Sequence, residues 1–246
     1  MTRSSKRPRS GTRVSLPPSN KQILFSVIST DEDFLFLHVP KTGGTSVAEA
    51  LLEVADDEMA VGKGNHDGVT NFGLRNPRYG TGKHTTLAEY KEVLEPAVYD
   101  RLFKFTILRN PWDRMISFYF SPHRRDVEWD RDRFAAFVKN QLPLRHYVDP
   151  STWGRRLSER IGRIAPRLVS QIRPLAAELD CVLRFEHLSE DFRGLCSHLD
   201  LPCDGLPVKH SSDRNHYSHY YDEGLRDLVA WRFREEVYYG EYEYGG

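Results

Sequence analysis

From Phe34 to Ser46 the chain reads Phe-Leu-Phe-Leu-His-Val-Pro-Lys-Thr-Gly-Gly-Thr-Ser, an apolar run that stops at a proline and turns into a short polar segment. Few folds accommodate that order. Phe34 to Val39 is apolar almost without alternation, as in a strand covered on both faces. Pro40 lacks an amide hydrogen and ends the ladder. Val47, Ala48, Ala50, Leu51 and Val54 then recur at helical spacing, so a strand passes through a tight turn into an amphipathic helix. Strands and helices alternate again further along, which predicts an α/β fold: a single domain with a central parallel sheet flanked by helices.

The turn itself is suited to an anion. Gly43 and Gly44 let backbone amides approach a ligand closely, Thr45 and Ser46 add hydroxyls at the first helical turn, and Lys41 adds a full positive charge. Unsatisfied amides and the helix dipole favour negative charge at the same place. A phosphate or sulfate group fits there. The order of residues argues against an ATP- or GTP-binding P-loop, because that motif places its lysine after the second glycine of a longer loop. The Lys-Thr-Gly triplet of penicillin-recognising serine enzymes is excluded too, since no S-x-x-K precedes Lys41.

A second apolar run, Phe103 to Leu108, leads into Arg109-Asn-Pro-Trp-Asp-Arg-Met-Ile-Ser117. Asn110 is placed to cap a helix and Pro111 to occupy its first position. An NTPase usually ends its second key strand in a carboxylate for magnesium; here arginine stands instead. Arg109 and Ser117, eight positions apart, predict a second anion pocket.

Two anion sites after two buried strands carry a resemblance. The chain resembles the cytosolic and Golgi sulfotransferases, most closely the carbohydrate-type group with HxPKTGGTS and RNPxDRxxSxY, and both motifs match at nearly every position. Cys181 to Leu188 is similar to that family's late strand and its RFE-x-L segment, and Tyr217 to Tyr242 to its tyrosine-rich final helix. The resemblance implies a PAPS-dependent O-sulfotransferase with a P-loop-like fold. Lys41, Thr42, Gly43, Gly44, Thr45 and Ser46 would hold the 5′-phosphosulfate of 3′-phosphoadenosine 5′-phosphosulfate (PAPS), and Arg109 and Ser117 its 3′-phosphate. Arg214 joins the 3′-phosphate or acceptor pocket by the same likeness, because relatives bring a C-terminal basic loop over the cofactor. The acceptor implied is a hydroxyl, on a carbohydrate or glycoconjugate. A P-loop nucleotide kinase and a noncatalytic nucleotide-binding protein are the alternatives.

Sulfuryl transfer to an alcohol needs a base, and neutral imidazole is matched to that near pH 7. Carbohydrate sulfotransferases often carry a histidine in a G-x-H segment between the two motifs. Gly82-Lys-His84 is the matching position, which makes His84 the candidate base and Glu89 the reserve; Lys41 is the second catalytic candidate, for charge stabilisation. Before His84, Gly62 to Lys83 is rich in Gly, Asn and charge and reads as a mobile loop over the site. After it, Thr86-x-x-Glu89 reads as a capping box for a helix carrying Leu87, Tyr90 and Leu94.

Composition bounds the rest. With 246 residues, 35 basic and 35 acidic, the chain has no net charge to recruit nucleic acid or an acidic membrane, so attraction for an anion must be local. Residues 1–22 are the exception, basic, acid-free and rich in Ser and Pro, and read as a disordered tail ahead of a domain over 23–246. No run is long enough to span a bilayer. Cys181, Cys196 and Cys203 lack metal or redox spacing and read as free thiols of a reducing compartment, hence a cytoplasmic enzyme. His216-x-x-His219 lacks a third ligand, so no metal is assigned. Asp113 and Arg114 read as pairing with neighbours, Trp112, Phe118 and Tyr119 as core, and the arginine-dense stretch from His123 to Arg173 as an acceptor wall or a solvated helical insertion.

Overall fold

The structure, a computed structural model, describes residues 26–66, 69–81, 85–121, 127–149, 175, 177–202, 205–206 and 214–245, with backbone alone over 58–66 and 69–75. The tail assigned to 1–22 and the position of His84 lie outside these residues. A four-stranded sheet forms the centre, in the order β1 (Val27–Ser29), β2 (Phe34–Leu37), β5 (Phe103–Leu108), β6 (Cys181–Arg184). β2 pairs parallel with β5, and β5 with β6, while β1 runs antiparallel at one edge. The parallel α/β expectation therefore holds.

Both faces of β2 are covered, which is why its sequence does not alternate in polarity. Phe34 and Phe36 pack on one side with Phe105, Ile107 and Leu183, against α1 (Gly44–Leu51) and α7 (Leu188–Leu199). Leu35 and Leu37 face the other side, with α2 (Leu87–Val93) and α3 (Pro96–Arg101). A third, aromatic cluster joins α4 (Pro111–Tyr119), α5 (Arg131–Asn140) and α8 (Glu223–Arg232) through Trp112, Tyr119, Phe134 and Phe233. Trp112 and Tyr119 are thus core, as their helical spacing predicts. Trp129 packs among Tyr119, Phe120 and Phe134, and Tyr147, on α6 (Arg145–Val148), is buried in the second cluster. Within the described part of the arginine-dense stretch, these aromatics pack into the core. Trp153, Arg155, Arg156, Arg160 and Arg163 lie outside the described residues.

Three expectations are corrected. The loop assigned to Gly62–Lys83 is in large part a hairpin, β3 (Glu58–His66) paired antiparallel with β4 (Val69–Arg75). The ladder shifts register between Val61 and Asn65, and Gly62 and Gly64 at that shift mask the strand's pattern in the sequence. The final tyrosine-rich helix is divided into a 3₁₀ turn (Tyr217–Tyr220), α8 and α9 (Arg234–Gly240). Asp222 caps α8 through Leu225 N–H, and Phe233 leaves helical geometry with ψ 32°. Cys181 is free, but Cys196 is disulfide-bonded, and Cys203 lies outside the described residues. An apolar setting marks a sulfur as buried without telling a thiol from a half-cystine. The reducing-compartment argument loses its support at that residue. No helix among the described residues is long and apolar enough to cross a membrane.

Candidate active site

The end of β2 delivers its turn onto α1 through two left-handed residues, Lys41 at φ 67° and Gly43 at φ 84°. Gly43 accommodates that conformation without cost; Lys41 must be held in it. Thr42, buried, donates its hydroxyl to Val39 C=O at 2.9 Å, and Ser46 N–H returns to Gly43 C=O at 3.1 Å. Gly44 has no alternative here, since a Cβ at that position would stand 2.0 Å from Cδ2 of the buried His38. His38 therefore supports the turn from beneath. Gly43 is the N-cap of α1 and supplies no side chain to its amides, the first turn contains no acid, and Thr45 and Ser46 are only partly buried there. Such a helix start favours negative charge.

The end of β5 delivers the second group. Asn110 Oδ1 accepts from Trp112 N–H at 3.0 Å and Asp113 N–H at 3.4 Å, with Pro111 at the first helical position. Arg109, 8% exposed, then reaches across to the first turn: Nη1 donates to Lys41 C=O at 2.9 Å and lies 3.4 Å from Ser117 Oγ. Its Nε and Nη2 donate to Asp113 Oδ2 at 2.9 and 2.5 Å, and its guanidinium stacks 3.8 Å from the centre of the Phe185 ring. Arg214 arrives from the C-terminal region and donates to Asp113 Oδ1 at 2.5 Å. Glu186 accepts from Asn110 N–H at 2.8 Å and from Tyr242 O–H at 2.9 Å.

Lys41, Arg109 and Arg214 are close enough to act on one another. Burial, then the charges of Arg109 and Arg214, pull the Lys41 ammonium down to about 8. Asp113 is partly buried, which opposes its ionisation, yet the two arginines prevail and hold it below the usual carboxylate range. Three cations against one carboxylate leave a net positive cluster beside an uncapped helix start, an electrostatic setting that favours an anion.

The same two strand ends, with β6 and α7, fall within residues 26–202, which match a family model described as the sulfotransferase family. The chain belongs to the sulfotransferase family. Comparison with curated proteins and with solved structures finds no match.

Sulfuryl transfer is the chemistry of the sulfotransferase family, and it implies a hydroxyl-bearing acceptor. Of the residues read from the sequence, Lys41 to Ser46, Arg109, Ser117 and Arg214 come together, although Arg214 lies beyond the matched segment. Gly82, Lys83 and His84 lie outside the described residues. Glu89, the reserve base, closes the capping box: its Oε2 accepts from Thr86 N–H at 2.6 Å and Thr86 O–H at 2.7 Å. His216 caps the 3₁₀ turn by accepting from Ser218 N–H. Phe185, Glu186 and Tyr242 were not singled out. The only signal for Glu186 was its place in the RFE-x-L segment, and Tyr242 lies 56 residues away from it.

Proposed function

We propose that this member of the sulfotransferase family is a PAPS-dependent O-sulfotransferase acting on a hydroxyl of a carbohydrate or glycoconjugate. The observation that carries the reading is the convergence of Lys41, Arg109 and Arg214, with Ser117, beside the uncapped start of α1. That donor set fits a multiply charged anion. PAPS supplies an activated sulfuryl group. Lys41, with the hydroxyls of Thr45 and Ser46 and the first amides of α1, binds the phosphosulfate end and stabilises developing negative charge. Arg109, Ser117 and Arg214 bind the 3′-phosphate. His84 takes the acceptor's hydroxyl proton on an imidazole nitrogen. The transfer is a single in-line displacement, by analogy with phosphoryl transfer.

Calorimetric titration with PAP in EDTA, alongside ATP, tests the donor. The expected result is metal-independent binding of PAP in preference to ATP, weakened by Arg109→Ala far more than the binding of adenosine 5′-phosphosulfate, which has no 3′-phosphate. Preference for ATP, or equal losses for the two ligands, would overturn the assignment. His84→Ala should retain PAP binding and lose turnover with a sugar acceptor; unchanged turnover removes it as the base.

A further inference from the structure

Asp113, on α4, does more than pair with Arg109. Its two carboxylate oxygens are divided between arginines from separate parts of the chain: Oδ2 takes Nε and Nη2 of Arg109, four residues away, and Oδ1 takes Nη2 of Arg214, 101 residues away. Both pairs are sheltered, with side-chain exposures of 9% for Arg109, 21% for Asp113 and 14% for Arg214. Sheltered charge-assisted bonds of this length are stronger and better oriented than surface pairs.

We propose that Asp113 is a positioning residue of the anion site, a bridge that fixes Arg214 of the C-terminal region beside Arg109 and Lys41. Without the bridge two guanidinium groups would repel each other and Lys41, and the carboxylate that joins Arg214, on an irregular stretch before the 3₁₀ turn, to Arg109 would be lost. With it, the site gains a second arginine from beyond the family-matched segment, and the carboxylate offsets part of the charge that would otherwise crowd there. The role rests on the anion-site reading and not on the identity of the donor.

Among the described residues the charged and titratable groups around this cluster are Lys41, Arg109, Asp113 and Arg214, with Glu186 facing Arg109 from the turn after β6, Tyr242 facing Glu186, and Tyr221 near Asp113 and Arg214. Arg214 is one of the two charges acting on Lys41, so Lys41 reports whether Arg214 is in place. The test titrates Lys41 in the ligand-free protein, by its pH-dependent labelling rate read by mass spectrometry. Four proteins are compared: wild type, Arg214→Gln, Asp113→Asn, and the double variant. Arg214→Gln should raise the Lys41 titration by up to about one pH unit in the wild-type background and leave it unmoved in the Asp113→Asn background, because the arginine has already left. An equal rise in both backgrounds, or no rise in either, overturns the bridge.

The same cycle is then read on PAP affinity. Each single variant should weaken binding about tenfold, with the double variant no worse than either. If wild type does not bind PAP while the Lys41 titrations follow the stated pattern, the donor assignment falls and the bridge stands. Arg214→Gln cuts the same contact from the irregular stretch, so the bridge remains testable if Asp113→Asn folds poorly: retention of full PAP affinity by Arg214→Gln would overturn it.

Discussion

Lys41 sits in the folded chain with its ammonium lowered to about 8 from 10.5, chiefly by burial and next by Arg109 and Arg214. Between those values the unfolded chain holds more proton than the folded one, so stability rises with pH across that window, and below it the charged side chain costs stability. Lys41→Met should therefore be as stable at pH 7 as wild type, or more so by on the order of 1 kcal/mol, while PAP affinity falls about tenfold or more. Urea unfolding and calorimetry check the two halves, and a loss of stability with affinity intact would contradict the account. Wild-type affinity should also decline as pH rises through about 8, as the amine loses its charge. The residue types were legible in the sequence: Lys41, Arg109 and Ser117 announced themselves by motif. The division of Asp113 between two arginines was not, because a carboxylate four residues from one arginine gives no hint of another 101 residues on.

At the scale of the element, the turn from β2 into α1 is built around a contact that only glycine permits. A methyl group at position 44 would meet the buried His38 ring, and the backbone N–H of His38 donates to Ser26 Oγ at 3.0 Å beneath the turn. Gly44→Ala should cost about 2 kcal/mol, and His38→Ala in the same chain should recover part of it. Strictly additive losses in urea unfolding would show that the ring is not the obstacle. Strands with unbroken apolar runs and helices with clear caps were readable in advance, since Phe34 to Leu37, Asn110-Pro111 and Thr86-x-x-Glu89 each state their structure locally. The β3–β4 hairpin was not, because glycines and charge within an extended segment have the composition of a loop. Its pairing depends on a partner strand rather than on propensity.

Across the whole molecule, the C-terminal helices are tied to α4 by an ion pair with almost no water. Arg114 and Glu236 are 2% and 0% exposed, their charged atoms 3.8 Å apart, and Glu236 also accepts from Leu144 N–H at 2.7 Å. Glu236→Ala should cost about 3 kcal/mol by leaving Arg114 charged and buried, and replacing both residues with leucine should restore much of that. Urea unfolding decides it; equal losses for the single and double variants would refute the charge argument. One further contact bears on how the molecule comes into being. The carbonyl of Lys41 is held by Arg109, 68 residues later in the chain, and that arginine is in reach only because β5 lies parallel against β2. On the ribosome the turn emerges well before the side chain that secures it, and a refolding chain must close that long separation first. The anion pocket is therefore a late product of folding, and its sequence, transplanted onto another strand and helix, would bring the lysine without the grip that shapes it.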